Sequence, residues 1–189
     1  MTKISEWLHR ISTGRATLIC LVIFLLFTAL VLPGQSALAE ETSGGTGSPD
    51  TSFFYTTADL YRMAESYGET GRAAYIYARF TFDLIFPLVY TAFLATAISW
   101  LFRRGFPAGS RWQLANLAPI FGAIFDYLEN ISAALVMGRY PALTPMVDAL
   151  APLFSVIKWI FVIGSFALLV IGLAFVTQQW IKKSHHLSH

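Results

Sequence analysis

The chain has 189 residues, of which 56% are hydrophobic and only 13% are charged. Average soluble domains carry about 25% charged residues, so this composition excludes an ordinary soluble domain and favours a membrane protein. The net charge of +2 is small and no basic stripe accompanies it, which argues against nucleic acid as a partner. The predicted partner is the lipid bilayer.

Four apolar segments are each near or above the length of about 17–25 residues that a membrane-spanning helix needs. They predict an all-α integral membrane protein, a four-helix bundle with a short extracytoplasmic helix between the first and second spans. The predicted divisions are a cytoplasmic N-terminus (1–15), a first transmembrane helix (16–32), an extracytoplasmic linker and short helix (33–80), a three-helix membrane core (81–176) and a cytoplasmic tail (177–189). Within the core the apolar segments are residues 81–102, 114–137 and 150–176.

The first apolar segment has two interpretations. Ala37-Leu38-Ala39 is typical of a signal-peptidase site, in which case residues 1–39 are removed as a signal peptide. However, the apolar run of about 17 residues is longer than the roughly 7–15 of a signal sequence. This length favours retention of the segment as the first transmembrane helix.

Between the first two spans, the sequence predicts a linker and a helix. Residues 40–52 are acidic and rich in Gly and Ser, which is typical of a flexible linker. A short helix follows from Thr57 to Tyr67, capped by Thr56 with Asp59 at its third position and ended by Gly68. We expect this helix either to lie on the membrane surface or to form a lid over a space between the spans.

The distribution of Lys and Arg predicts the orientation. The N-terminus, the 103–111 loop and the tail are rich in these residues, and by the positive-inside rule they lie in the cytoplasm. Both termini are then cytoplasmic, the 33–80 segment is outside, and the predicted location is a bacterial inner or plasma membrane. The basic residues on the cytoplasmic side are Lys3, Arg10, Arg15, Arg103, Arg104, Arg111, Lys182 and Lys183.

Polar residues inside the third span need partners. Asp126, Glu129 and Asn130 are three and four residues apart, so they share one face of the helix. A carboxylate at the centre of a bilayer costs about 2.5–3.5 kcal/mol on insertion scales. These side chains are therefore expected to face the interior of the bundle and to meet opposite charges there.

The other spans supply those partners. Lys158 in the fourth span is predicted to pair with Glu129 or Asp126. Asp83 in the second span lies one helical turn after Arg79, which makes an ion pair between the two easy to form. One carboxyl group is left in surplus. The predicted polar intramembrane cluster is Asp83, Asp126, Glu129, Asn130 and Lys158.

If the polar cluster is a binding or catalytic site, a pocket must connect it to the surface of the bundle. We expect a pocket between the second, third and fourth spans, lined by Tyr90 and Tyr127, with Arg72, Arg79 and Arg139 near its rim. Such an arginine rim suits an amphiphile with an anionic head, because guanidinium groups bind anions well. A purely structural cluster would instead be closed, with every polar atom paired.

The motifs resemble a set of small, uncharacterised bacterial four-span integral membrane proteins over residues 55–176. This resemblance implies no activity, cofactor or residue role. The gross layout is also similar to that of emopamil-binding and sterol-isomerase-like proteins, but the His and Glu arrangement expected there is absent. The motifs that carry the first resemblance are Tyr67-Gly68, Gly71-Arg72, Tyr75, Asp83, Phe86-Pro87, Tyr90, Asp126-x-x-Glu129-Asn130 and Lys158-Trp159.

Two classes of function remain. One is a binding or structural membrane protein, whose polar cluster fixes the bundle and which takes a lipid-like ligand or a membrane-protein partner from the outer side. The other is a membrane-embedded enzyme or proton-handling protein that uses a protonated carboxyl of Asp126 or Glu129. The sequence favours the first class, because it holds no HExxH, GxSxG, phosphate-loop or CxxC motif. No cofactor or metal is predicted, and the tail histidines His185, His186 and His189 are interpreted as solvated.

Overall fold

A computed structural model describes residues 2–187, with side chains for residues 2–182, so the three tail histidines lie outside the described side chains. The described chain is all-helical, as predicted. The helices are α1 (Lys3–Ile11), α2 (Gly14–Leu30), α3 (Leu32–Ser43), α4 (Thr57–Ser66), α5 (Gly68–Arg79), α6 (Phe82–Gly105), α7 (Ala118–Arg139) and α8 (Val147–Leu187). Two 3₁₀ segments, Pro49–Thr51 and Arg111–Leu117, connect them.

Four helical stretches are long and apolar enough to cross a membrane: Gly14–Ser43, Gly68–Gly105, Arg111–Arg139 and Val147–Lys182. They contain the four apolar segments predicted from the sequence. The first stretch is also the most apolar, with a mean hydropathy of 2.7, and α2 buries none of its residues. A helix that is apolar on every side yet unburied is typical of a membrane span.

The bundle core is built from three helices. α7 packs along α8, and α6 packs against both, while α2 lies against α6. Two apolar clusters fill this core. One includes Leu60, Met63 and Met137, and the other includes Leu94 and Phe102.

Charged residues lie between these two apolar clusters. Along α8, Lys158 comes after Ala151 of the first cluster and before Val162, which packs against the second. Along α7, the polar residues precede Ala133 and Val136 of the first cluster. The polar residues are therefore enclosed by apolar packing at both levels of the bundle.

The stretch formed by α2 and α3 continues to Ser43, beyond residue 32 where the sequence predicts the end of the first span. α3 meets α5 at Gly71, where a Cβ atom would lie 2.7 Å from the carbonyl oxygen of Thr42. Only glycine allows this approach without a backbone shift. The contact ties the end of the first apolar stretch to the start of the second.

The predicted helix after the linker is present as α4. Thr56 accepts a hydrogen bond from the Asp59 backbone, and the Asp59 carboxylate accepts one from the Thr56 backbone, which forms a capping box. The apolar stripe of α4, including Leu60 and Ala64, is buried against α7 and α8. This stripe therefore faces the bundle.

At the opposite end of the bundle, α1 packs across α6 and the 3₁₀ segment Arg111–Leu117. Both ring nitrogens of the buried His9 face carbonyl oxygens, that of Ser99 at 3.2 Å and that of Gln113 at 3.0 Å. Arg103 donates to the carbonyl of His9 at 2.6 Å. These contacts fix α1 to the core without involving the charged residues at mid-bundle.

Candidate functional site

The first element of the site is the pair formed by Arg79 and Asp83. α5 ends at Arg79 and α6 begins at Phe82, so the pair bridges the short break between the two helices. Arg79 Nε lies 2.8 Å from Asp83 Oδ2, and both side chains are buried. The ion pair expected from the spacing is present.

The second element joins α8 to α7. Lys158 Nζ lies 2.6 Å from Glu129 Oε2 and 3.9 Å from Asp126 Oδ1. All three side chains are buried. The contact between Lys158 and the acidic face of α7, expected from the sequence, is therefore present, and Glu129 is the closer partner.

Asp50 connects the two pairs. It lies in the α3–α4 loop (residues 44–56), and its Oδ1 is 3.2 Å from Arg79 Nη1 and 3.3 Å from Lys158 Nζ. The loop is held beside α8, because Ser155 Oγ and Trp159 Nε1 both donate to the carbonyl of Ser52. One loop carboxylate thus links α5, α8 and the loop itself.

The sequence did not identify Asp50 as a site residue, because it fell within the predicted flexible linker. That interpretation is wrong for Asp50, which is pinned between two buried cations. No local signal separates it from the exposed Glu40 and Glu41 earlier in the same acidic stretch. The six charged residues Asp50, Arg79, Asp83, Asp126, Glu129 and Lys158 are called the ionic network below.

Hydroxyl and amide groups complete the network. Tyr55 donates to Glu129 Oε1 at 3.2 Å, and Tyr90 donates to Asp126 Oδ2 at 3.0 Å. Asn130 Nδ2 donates to Asp126 Oδ1 at 3.2 Å. Both oxygens of Asp126 are therefore hydrogen-bonded. Tyr55, like Asp50, belongs to the loop and was not predicted.

The network has more carboxylates than cations. Four carboxylates face two cations, Arg79 and Lys158, so with every group ionised the described network carries two excess negative charges. The sequence predicted one surplus carboxyl, and Asp50 adds the second. Buried charge of one sign is unfavourable unless a further cation or a proton compensates it.

Three of the carboxylates converge closely enough to suggest a metal site. Oxygen atoms of Asp50, Asp126 and Glu129 lie within 4.8 Å of one another. Lys158 Nζ lies among them, at 3.3, 3.9 and 2.6 Å respectively. Its ammonium group thus takes the position that a bound cation would need.

The electrostatics of the loop residues follow from this arrangement. Burial disfavours the charged form of Asp50, but the charges of Lys158 and Arg79 outweigh burial and lower its pKa from 3.8 to about 2. Burial, together with the nearby Glu129 charge, raises the pKa of Tyr55 well above its ordinary value. Asp50 therefore stays ionised at neutral pH and Tyr55 stays a neutral hydrogen-bond donor.

A cavity of about 220 Å³ lies beside the network, so the polar cluster is not sealed. We call it the network cavity. Three carboxylates and Lys158 border one part of it, and apolar side chains border the rest. Phe166 is exposed, so the apolar end of the cavity reaches the bundle surface. The lining residues are Asp50, Asp83, Phe86, Tyr90, Asp126, Lys158, Trp159, Val162 and Phe166.

Several expected pocket residues lie elsewhere. Tyr90 lines the cavity, but Tyr127 does not, because its hydroxyl donates to the carbonyl of Leu84 at 2.8 Å. Arg72 donates to the carbonyl of Ala64, and its guanidinium lies 4.9 Å from the centre of the Tyr140 ring.

The expected arginine rim is therefore absent from the described structure. Arg139 is exposed at the last turn of α7 and does not line the cavity, and Arg79 is buried in the network. The spacing along the helices does not show the direction in which each long side chain is held by its neighbours.

Replacing Lys158 by Met should destabilise the protein by about 3–5 kcal/mol, because it leaves buried carboxylates without their cation. The double variant with Glu129→Gln should be less destabilised than the sum of the two single variants. Unfolding of the purified protein measures this, with Lys182→Met on an exposed residue as the control. Additive effects would mean that Lys158 and Glu129 do not interact.

The lowered pKa of Asp50 makes its contribution to stability dependent on pH. A carboxyl whose pKa is lower in the folded state stabilises fully above its unfolded pKa, and this contribution is lost as pH falls through the folded value. The stability difference between wild type and Asp50→Asn should therefore shrink between about pH 4 and pH 2. Thermal unfolding across this range measures it, and a constant difference would contradict the ion pairs of Asp50.

Comparisons with protein-family models, with curated proteins and with solved structures found no match to this chain. The ionic network and the cavity beside it are therefore the grounds on which a function is proposed.

Proposed function

We propose that this is a small polytopic membrane protein that binds a lipid-like amphiphile in the network cavity, while the ionic network fixes the packing of the bundle. The observation that carries this proposal is a cavity bordered by charged groups at one end and by apolar groups at the other. An amphiphile has the same division, with a polar head and an apolar chain.

The size of the cavity fits the head of such a molecule. Pockets for drug-sized ligands usually measure about 300–1,000 Å³. At about 220 Å³ the network cavity holds a head group and the first part of a chain. The remainder would lie against Val162 and Phe166, where the cavity reaches the apolar surface of the bundle.

Within this proposal, the ionic network has a structural role as well. Its members come from α5, α6, α7, α8 and the α3–α4 loop, and each ion pair joins two of these elements. A change in helix position would separate charges in an apolar environment. The network thereby keeps the wall of the cavity in one arrangement.

The partners of Asp126 and Glu129, the two carboxyl groups that an enzyme would use, favour binding over catalysis or proton transfer. Asp126 accepts hydrogen bonds at both oxygens, from Tyr90 and Asn130. Glu129 accepts from Tyr55 and contacts Lys158 at 2.6 Å. Both groups are held by fixed partners, which suits a structural and binding role.

We further propose that the membrane is a bacterial inner or plasma membrane, with both termini in the cytoplasm and the α3–α4 loop and α4 outside. The distribution of Lys and Arg supports this orientation. The length of the four apolar stretches supports the membrane location. In this orientation the network and its cavity lie nearer the outer face.

Binding is tested with three single-chain probes: octylamine, octanol and octanoate. Each is titrated into the protein in phosphatidylcholine nanodiscs while thermal unfolding is followed. At least one should raise the Tm of wild type saturably, and Val162→Trp should abolish the increase because it fills the cavity from α8. Ile163→Trp, which places the same bulk on the exposed face of α8, is the matched control. An equal response in both variants would refute binding in the cavity.

The orientation is tested by cysteine labelling in intact cells, with the single native Cys20 replaced by Ala. Thr46→Cys and Leu143→Cys should react with a membrane-impermeant maleimide from outside. Ala108→Cys should react only after permeabilisation, because the 103–111 loop is basic and therefore expected inside. Reaction of Ala108→Cys in intact cells would overturn the orientation.

A further inference from the structure

We infer that the head group taken by the network cavity is a protonated amine. This inference rests on the proposed function, because it names the ligand class for the same cavity. It replaces the anionic head that an arginine rim would have suited. Two features of the cavity wall support it: its charge and its aromatic side chains.

With its carboxyl groups ionised, the wall is negatively charged. Asp50, Asp83 and Asp126 line the cavity, and Lys158 is the only cation that lines it among the described residues. The whole network has two more carboxylates than cations. An anionic head would add to this excess, whereas one ammonium group would relieve half of it.

Asp83 is one of these carboxylates. It is only 3% exposed, and its Oδ2 lies 2.8 Å from Arg79 Nε in an ion pair. Arg79 also lies 3.2 Å from Asp50, so one guanidinium group is shared by two carboxylates that line the cavity. An ammonium head in the cavity supplies a further positive charge beside them.

Aromatic rings border the same space. Phe86, Tyr90 and Trp159 line the cavity, and Phe86 meets Tyr90 edge-to-face with ring centres 5.8 Å apart. Trp159 is held in place because its Nε1 donates to the carbonyl of Ser52 at 3.1 Å. Faces of aromatic rings attract cations, most strongly when water is excluded. The wall therefore combines carboxylates and rings, both of which favour a cationic nitrogen.

The inference is tested by comparing the three probes at neutral pH, where the octylamine head is protonated because the pKa of an alkyl amine is about 10.4. Octylamine should bind about ten-fold or more tightly than octanol and octanoate, since only it brings a positive charge to the carboxylates of the wall. Equal or tighter binding of octanol or octanoate, lost in Val162→Trp, would overturn the amine and leave the proposed function intact. A lack of any saturable binding would instead refute the proposed function.

The role of Asp83 is tested by two variants of the same position. Asp83→Asn should remove the preference of wild type for octylamine over octanol, and Asp83→Glu, which keeps the charge, should retain most of it. An unchanged preference in Asp83→Asn would overturn the role of this carboxylate. If Asp83→Asn fails to fold, the ranking of the probes on wild type still decides the inference.

Two sources of an amine head are distinguished by the lipid. Nanodiscs that contain phosphatidylethanolamine offer an amine on a bilayer lipid. If this lipid fills the cavity, the response to octylamine should weaken relative to pure phosphatidylcholine. An unchanged response would assign the cavity to a single-chain amine. Both results agree with an amine head, and the ranking of the three probes decides whether the cavity selects an amine.

Discussion

The rest of the structure depends on one carboxylate oxygen, Oδ1 of Asp50, which contacts both Arg79 and Lys158. Without it the ion pair at the α5–α6 break and the ion pair between α7 and α8 are joined through the amide of Asn130, which accepts from Arg79 at 3.4 Å and donates to Asp126 at 3.2 Å. With it there is a single network that spans four helices and a loop. Low dielectric surroundings strengthen each of these attractions, and they equally raise the penalty for losing one.

Much of this arrangement could be predicted from the sequence, because its signals are local. Apolar length indicated the four long helices. Thr56 and Asp59 indicated the start of α4, and residues three and four apart placed Asp126, Glu129 and Asn130 on one face. The need of a buried carboxylate for a cation indicated Lys158. Each of these inferences uses only spacing along the chain and the cost of exposing charge to lipid.

The remaining parts could not be predicted, because they depend on how distant segments fold together. Asp50 and Tyr55 lie in a loop whose composition is typical of a flexible linker, and the hydrogen bonds that hold this loop come from α8, about 100 residues later. Tyr127 and Arg72 have long side chains that were expected at the pocket. Each reaches a backbone carbonyl elsewhere, which no periodicity reveals.

The chain order of the network has a consequence for biosynthesis. During synthesis Asp50, Asp83, Asp126 and Glu129 all emerge before Lys158, and until α8 is made Arg79 is the only cation of the network that is present. The intermediate that lacks α8 therefore holds uncompensated carboxylates within apolar segments. The last helix completes the bundle and supplies the second cation of the network, Lys158. A chain truncated before α8 would therefore lack Lys158 as well as the apolar contacts that α8 makes with α6 and α7.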